Sequence, residues 1–492
     1  MSANLTLGWT VTKDGNIMRR PFTFPRKTLV KHVAILGASG SGKTVALKRI
    51  IEELALSGIP VIILDMQGDM SSLALLSSEK DLISKKHGPA MGEDWRDKVE
   101  VRVFTPGSVS GIQMNCSPLR PIPAKLKDED VRALLDMTVE ATLAAMHYKY
   151  SDDNAEYQVT KSYLYHVLEA ARNNDRYPST LPELRDLIEA YVGPKDMQDV
   201  GKTRKPKLIE NIIATMTGFE GLLFTAGVPL SIQLLLTSVD PNKTAISIIH
   251  MGKLTTKEQK QGVSAVLANQ VYTYLLQTNP EVDEGGDPKL KFALILDEVQ
   301  DIMPADPYQP VSKRAFTALF RQARKYGCSL MVATQNWAAT SYQLLGNAST
   351  ILVGRTISNQ DIEKTRDFFK GYVKGIESID SLITEIPRVS PGEFFVASPD
   401  NWKQAHHVKF LMPMTEHYPI SVESADRCNA DYVKQYFAIM GQNPGGSEKK
   451  AKKGTLPVHP IQSPYNCHSC GTQLLWIPEF QRYWCPREKQ YI

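Results

Sequence analysis

The stretch GASGSGKT, residues 37–44, limits what this chain can fold into more than any other. It fits G-x-x-x-x-G-K-[ST] in full, between an apolar run, HVAILG at 32–37, and a helical pattern running from Lys43 to about Ser57. A strand that feeds a glycine-rich turn and then a helix points backbone N–H groups inward around an anion. The helix N-terminus adds partial positive charge there. In this reading Gly37, Ala38, Ser39, Gly40, Ser41, Gly42, Lys43 and Thr44 cradle the phosphates of ATP. Lys43 reaches the β- and γ-phosphates, and the Thr44 hydroxyl ligates Mg²⁺.

Further apolar runs extend the pattern: IPVIILD (59–65), VRVFTPG (101–107), TAISIIHM (244–251), KFALILDE (291–298), SLMVAT (329–334) and TILVGR (350–355). The first of these, reached through the helix, makes a crossover unit of a parallel sheet. Residues 5–24 alternate around KDGN, a hairpin signal. Residues 128–218 read as helices, and a long helix is expected over 256–277. The expectation is an α/β fold with a mostly parallel sheet, divided as follows. A hairpin and lead-in (1–30) precede two core segments (31–127 and 231–440) that flank a helical insertion (128–230). A flexible basic linker (441–460) leads to a small cysteine-bearing module (461–492).

ALILDE ends a strand on two acids, Asp297 and Glu298, at the edge where open α/β sheets bind ligands. Asp297 is read as holding Mg²⁺ through water, and Glu298 as orienting the attacking water. Asp65 closes the second strand in LDMQGD, either as a third carboxylate at the same edge or as a turn former before Gly68. Gln335 ends the strand that follows Asp297–Glu298. It is either a sensor of the γ-phosphate or water, or a plain polar strand end.

KHVAILGASGSGKT, VIILDMQGD, ALILDEVQD and RQARKYGCSLMVATQ with ILVGRT behind it occur in this order. The set resembles the HerA/FtsK branch of P-loop ATPases, most closely the HerA-like group, over roughly residues 25–400. The resemblance implies a RecA-like core, assembly as a hexameric ring, and ATP-driven movement of double-stranded DNA for a partner nuclease or effector. It places Lys43, Thr44, Asp297 and Glu298 at nucleotide and catalytic positions, and Asp65 and Gln335 at the strand-end acid and polar sensor. Arg324 matches an arginine offered to the neighbouring subunit's ATP. About 30 residues precede the phosphate loop, too few for the N-terminal β-barrel of the best-known members. On a helix wheel Phe316, Leu319, Phe320 and Ala323 share a stripe, with Arg321 opposite and Arg324 on the flank. A conjugation or secretion motor and a nucleotide-gated scaffold are the rival readings.

The net charge of +4 does not by itself argue for nucleic acid, so duplex contact would need a local patch. GKTRKPK offers one, read as a loop bearing Lys202, Arg204, Lys205 and Lys207, against the alternative of solvated charge. No apolar run approaches a membrane span, and the N-terminus lacks a secretory pattern. Together with the scattered cysteines this suits the cytoplasm. Cys467, Cys470 and Cys485 are candidate Zn²⁺ ligands, with Glu488, His459 or water as the fourth. A metal-free hairpin is the alternative.

Overall fold

The computed structural model describes residues 4–421 apart from 13, 86, 88, 109, 110, 152, 226 and 373–378. It also describes the backbone of four C-terminal strands (461–466, 473–477, 482–485, 490–491). Residues 1–438 form one compact unit. Its frame is an eleven-stranded sheet: β1 (Asn4–Val11), β2 (Ile17–Pro25), β3 (Val33–Leu36), β4 (Val61–Asp65), β5 (Val99–Phe104), β6 (Thr244–His250), β7 (Phe292–Leu296), β8 (Cys328–Thr334), β9 (Thr350–Val353), β10 (Glu393–Ala397) and β11 (His406–Phe410). The order across the sheet is β2-β1-β11-β10-β9-β3-β8-β7-β4-β6-β5. From β9 to β5 every pairing is parallel, and from β9 outward to β2 every pairing is antiparallel. The crossover from β3 therefore skips over β8 and β7 before reaching β4.

Side chains on a strand alternate between faces. Ile35, Ile63, Ile295 and Met331 join one core. Their neighbours Leu36, Leu64, Leu296 and Val332 join the other. Because both faces are covered, the parallel strands read as continuous apolar runs. Helix α1 (Lys43–Leu56) lays Leu47, Ile50, Ile51 and Leu54 on the first face, along with Leu5, Leu7, Phe22 and Phe24 of the hairpin.

The helical segment packs on the second face. It comprises α2 (Asp128–Ala145), α3 (Ala155–Asn173), α4 (Leu181–Ala190) and α5 (Lys195–Thr217). Helix α6 (Lys257–Gln277) starts at a capping box in which Thr256 and Gln259 exchange hydrogen bonds, and α2 and α7 (Val311–Gln322) pack against it. Arg314 of α7 pairs with Asp136 and Glu140 of α2, which tethers the insertion to the sheet-side helices.

The sequence 201–207, expected as a loop, is helical within α5, with Pro206 inside the helix. Gly201 is buried against the Tyr163 ring, and Leu208 and Ile212 bury the turns that follow. Tertiary packing thus carries the helix across two residues that oppose it. The C-terminal unit, residues 439–492, holds an antiparallel four-stranded meander: Ile461–Asn466, Gln473–Ile477, Arg482–Cys485 and Gln490–Tyr491. The expected linker at 441–460, with Cys467 and Cys470, lies outside the described residues. Of Cys485 only the strand backbone is described.

Candidate functional site

The phosphate loop leaves β3 at its carboxyl end and is held from three sides. Gly37 N–H donates to Thr334 O at the end of β8 (3.3 Å), and Ala38 N–H donates to Arg355 O just beyond β9 (2.9 Å). The Ser41 carbonyl accepts from Gly392 N–H (2.7 Å). Gly42 sits at φ 89°, and a Cβ there would lie 2.5 Å from Gly392 N, so only glycine fits. Ser41 Oγ is buried inside the loop with no hydrogen-bond partner among the described residues. Such an orphan is costly unless a ligand oxygen meets it.

Asp297 and Glu298, both buried, follow directly on the end of β7. Adjacent strand residues normally face opposite ways. Here Glu298 adopts φ 52°, ψ 52°, a left-handed conformation uncommon outside glycine, asparagine and aspartate. That turn brings the second carboxylate round to the phosphate loop. Lys43 Nζ lies 2.5 Å from Glu298 Oε1 and 4.0 Å from Asp297 Oδ1. Gln335 Nε2 donates to the same Oε1 (2.5 Å), and Gln300 Nε2 donates to Oε2 (2.6 Å). Thr334 Oγ1 in turn donates to Gln300 Oε1 (2.7 Å). Lys43, Asp297, Glu298 and Gln335, drawn from three parts of the chain, thus meet at one point. Gln300 belongs with them and was not singled out in the sequence, where it reads as a polar residue in a turn.

The two carboxyls titrate apart. Burial raises Asp297 to about 7; Lys43 draws it down, while Glu298, Asp65 and Asp69 push it further up. Burial also raises Glu298, but Lys43 and the hydrogen bonds from Lys43, Gln335 and Gln300 outweigh it and hold the carboxyl below its usual range. Glu298 is therefore ionised at neutral pH, as a group that orients water must be.

Asp65 is fully buried at the end of β4 and faces its own loop rather than the cavity. It accepts Gly68 N–H (2.8 Å), Met70 N–H (3.1 Å), Ser71 N–H (3.0 Å) and Ser71 Oγ–H (2.8 Å). His250 Nδ1 stands 3.8 Å away, beyond hydrogen-bonding range, with Ser71 Oγ between them. Burial opposes ionisation, yet the His250 ring, Ser71 and Gly68 together keep the carboxyl below its usual value. Asp65 thereby shapes the turn that presents Gln67 and Asp69 to the cavity. Neither was picked out from the sequence, because LDMQGD does not say which acid turns inward.

The cavity so formed measures about 260 Å³, close to the lower end of small-molecule sites, which begin at about 300 Å³. Ala38, Ser39, Gly40, Gly42, Lys43 and Thr44 line one side, and Glu298, Gln335 and Asp69 another. His417, Tyr418 and Pro419 complete its lining.

The remaining candidates lie elsewhere. Helix α7 ends at Gln322, and Arg324 sits in a 3-10 turn (Ala323–Tyr326) that Gly327 closes at φ 81°. Phe316, Leu319, Phe320 and Ala323 are all buried, as the wheel predicts, but the change of helix type at Ala323 breaks the wheel for Arg324. Arg324 and Arg321 are both exposed, and neither side chain has an ion pair or hydrogen bond among the described residues. On α5, Lys202 pairs with Asp199 (2.8 Å), and Arg204 and Lys207 share Glu156 (2.6 and 2.9 Å). Lys205 Nζ donates to the carbonyls of Glu189 and Tyr191. No group of three or more His, Cys, Asp or Glu suited to a metal occurs among the described residues.

Together the fold and site are those of a P-loop NTPase with a RecA-like core. Residues 23–271, half of the chain, match the family described as Helicase HerA, central domain, and the chain belongs to that family. Among solved structures it is similar to VirB4 of Thermoanaerobacter pseudethanolicus: 16% identity and TM-score 0.53, over 83% of this chain and 97% of that one. It is also similar to the bacterial conjugative coupling protein TrwBdeltaN70, at 14% identity and TM-score 0.50, over 84% and 90%. TrwB in complex with the ATP analogue ADPNP matches at 14% and 0.50, over 84% and 91%. At such identities the likeness is one of fold. No curated protein matches in sequence.

Proposed function

We propose that this protein is an ATP-driven translocase of double-stranded DNA of the HerA type. It works as a homomeric ring, a hexamer, that moves duplex for a partner nuclease or effector. The observation that carries the ATPase reading is the convergence of Lys43 and Gln335 on Glu298 beside the phosphate loop. The γ-phosphate of a bound ATP competes with Glu298 for Lys43 Nζ. Once Lys43 turns to phosphate, Glu298 Oε1 is open to an attacking water, which Gln335 is placed to orient. The Ser41 hydroxyl and the N–H groups of the loop supply the remaining donors to phosphate. The oxygen donors present fit Mg²⁺: the Thr44 hydroxyl and the Asp297 carboxylate would hold it. Bound with the nucleotide, the ion would neutralise charge on the phosphates.

Arg324 supports a ring rather than a lone subunit. It precedes β8, whereas the phosphate loop bonds to the far end of that strand, at Thr334. At about 3.3 Å per residue the strand spans about 20 Å, far more than an arginine side chain. Arg324 cannot serve its own subunit's ATP, so any catalytic role falls at a neighbour's site. Duplex contact is assigned to the α5 cations. Lys202 and Lys207 are 76% and 59% exposed. Their surface ion pairs are weak enough to yield to phosphate.

The test is steady-state ATP hydrolysis with and without duplex DNA. The expected result is stimulation by duplex, with turnover reduced at least about a hundredfold in Glu298→Gln. ATP hydrolysis indifferent to duplex would favour the nucleotide-gated scaffold instead.

A further inference from the structure

The rest of the cavity lining is the part that the phosphate chemistry does not account for. Residues 417–419, in the segment that follows β11, line the cavity together with the phosphate loop and are anchored on both sides. Before them, Glu52 of α1 accepts Met414 N–H (3.0 Å), Thr415 N–H (2.9 Å) and Thr415 Oγ1–H (2.9 Å). Lys48 of the same helix donates to Glu416 O (3.0 Å), and Glu416 N–H donates to Leu75 O (2.8 Å). After them, Ile420 is buried, with its carbonyl against Gly68. The helix that opens from the phosphate loop therefore also fixes this strap.

Between those anchors three ring-bearing residues face the cavity, His417, Tyr418 and Pro419, and all three are exposed. Tyr418 leaves half its surface (51%) uncovered. A half-bare aromatic ring on an anchored strap, lining one small cavity with a phosphate cradle, is what a flat heterocycle needs for stacking. Partial burial of its ring and the charges of Lys48 and Lys85 hold His417 below the usual histidine value, so it adds an uncharged ring rather than a counter-ion for phosphate.

We propose that residues 417–419 form the base-binding wall of the nucleotide site, with the Tyr418 ring as the platform on which the nucleobase stacks. This rests on the nucleotide reading above. It assigns the strap affinity for the base and none for the phosphates.

Titration calorimetry with the full chain and two probes, ADPNP and inorganic tripolyphosphate, each with Mg²⁺, separates the two. Tyr418→Ala is expected to weaken ADPNP about tenfold, with tripolyphosphate affinity unchanged and Tyr418→Phe close to wild type. Wild-type affinity for ADPNP in Tyr418→Ala overturns the proposal. So does an equal loss for both probes, which would make the strap a structural brace. Wild-type protein that binds neither probe overturns the nucleotide reading itself.

Discussion

Glu298 and Asp65 show how one carboxylate is aimed into the site and another kept out of it. A left-handed residue turns Glu298 into the cavity against its strand's alternation, and three side chains hold it there. Asp65 has a different task, with four donors of its own loop on its oxygens. Asp65→Ala strands three buried N–H groups, at about 1–3 kcal/mol each. Denaturant unfolding should show a loss of at least about 3 kcal/mol. Asp69→Ala removes a carboxylate that only lines the cavity, so it should cost under about 1 kcal/mol while lowering ATP turnover. Equal stability losses in the two variants would refute this division of labour. The phosphate loop, Asp297 and Glu298 could be picked out of the sequence because spacing and strand ends fix them. Gln300, Asp69 and Tyr418 could not, because each lies in a turn whose direction only the folded backbone decides.

Among the elements, β3, α7 and β8 are joined by one residue. His32 precedes β3 at φ 65°, ψ 151°, a region nearly reserved for glycine. Its Nδ1 accepts Leu330 N–H from β8 (3.0 Å), and its Nε2 donates to Phe320 O near the end of α7 (3.2 Å). Accepting from Leu330 needs the neutral ring, whereas the donation to Phe320 survives protonation. Burial lowers the His32 pKa to about 4; the bond to Phe320 works against this and the charge of Arg324 adds to it. Because the folded value lies below the unfolded one of about 6.5, the stabilisation is full above pH 6.5 and lost as pH falls towards 4. The span corresponds to about 3 kcal/mol. His32→Gln should be less stable at pH 7 and should lose less on acidification, as followed by urea midpoints at both ends of the window. A variant with the wild-type slope would contradict this. Buried parallel strands announce themselves as unbroken apolar runs, and all seven were legible. The antiparallel β10 and β11 were not: β10 is a buried run of only five residues opening on Glu393, and HHVKF of β11 is part-buried and rich in polar residues. Within α5 only the stretch 201–207 read as a loop, because the local preferences of Gly201 and Pro206 yield to burial of Leu208 and Ile212.

Across the larger unit, the two proposed halves of an ATP site lie at opposite ends of the parallel strands. The cavity with Glu298 lies where β3 and β7 end, and the exposed Arg324 lies where β8 begins. No helix among the described residues is long and apolar enough to cross a membrane. In the proposed ring each subunit would carry one half of each of two ATP sites, and the ring would complete both. The measurement that tests this most directly is duplex-stimulated ATP hydrolysis by Arg324→Ala subunits mixed with Lys43→Ala subunits. Each variant alone should be nearly inactive, since fingers of this kind contribute about 10³–10⁵ in rate. In the mixture, sites with Lys43 from one subunit and Arg324 from the next are whole, so activity should return at about a quarter of interfaces. Full activity of Arg324→Ala alone, or no recovery on mixing two inactive variants that still form rings, would contradict the account.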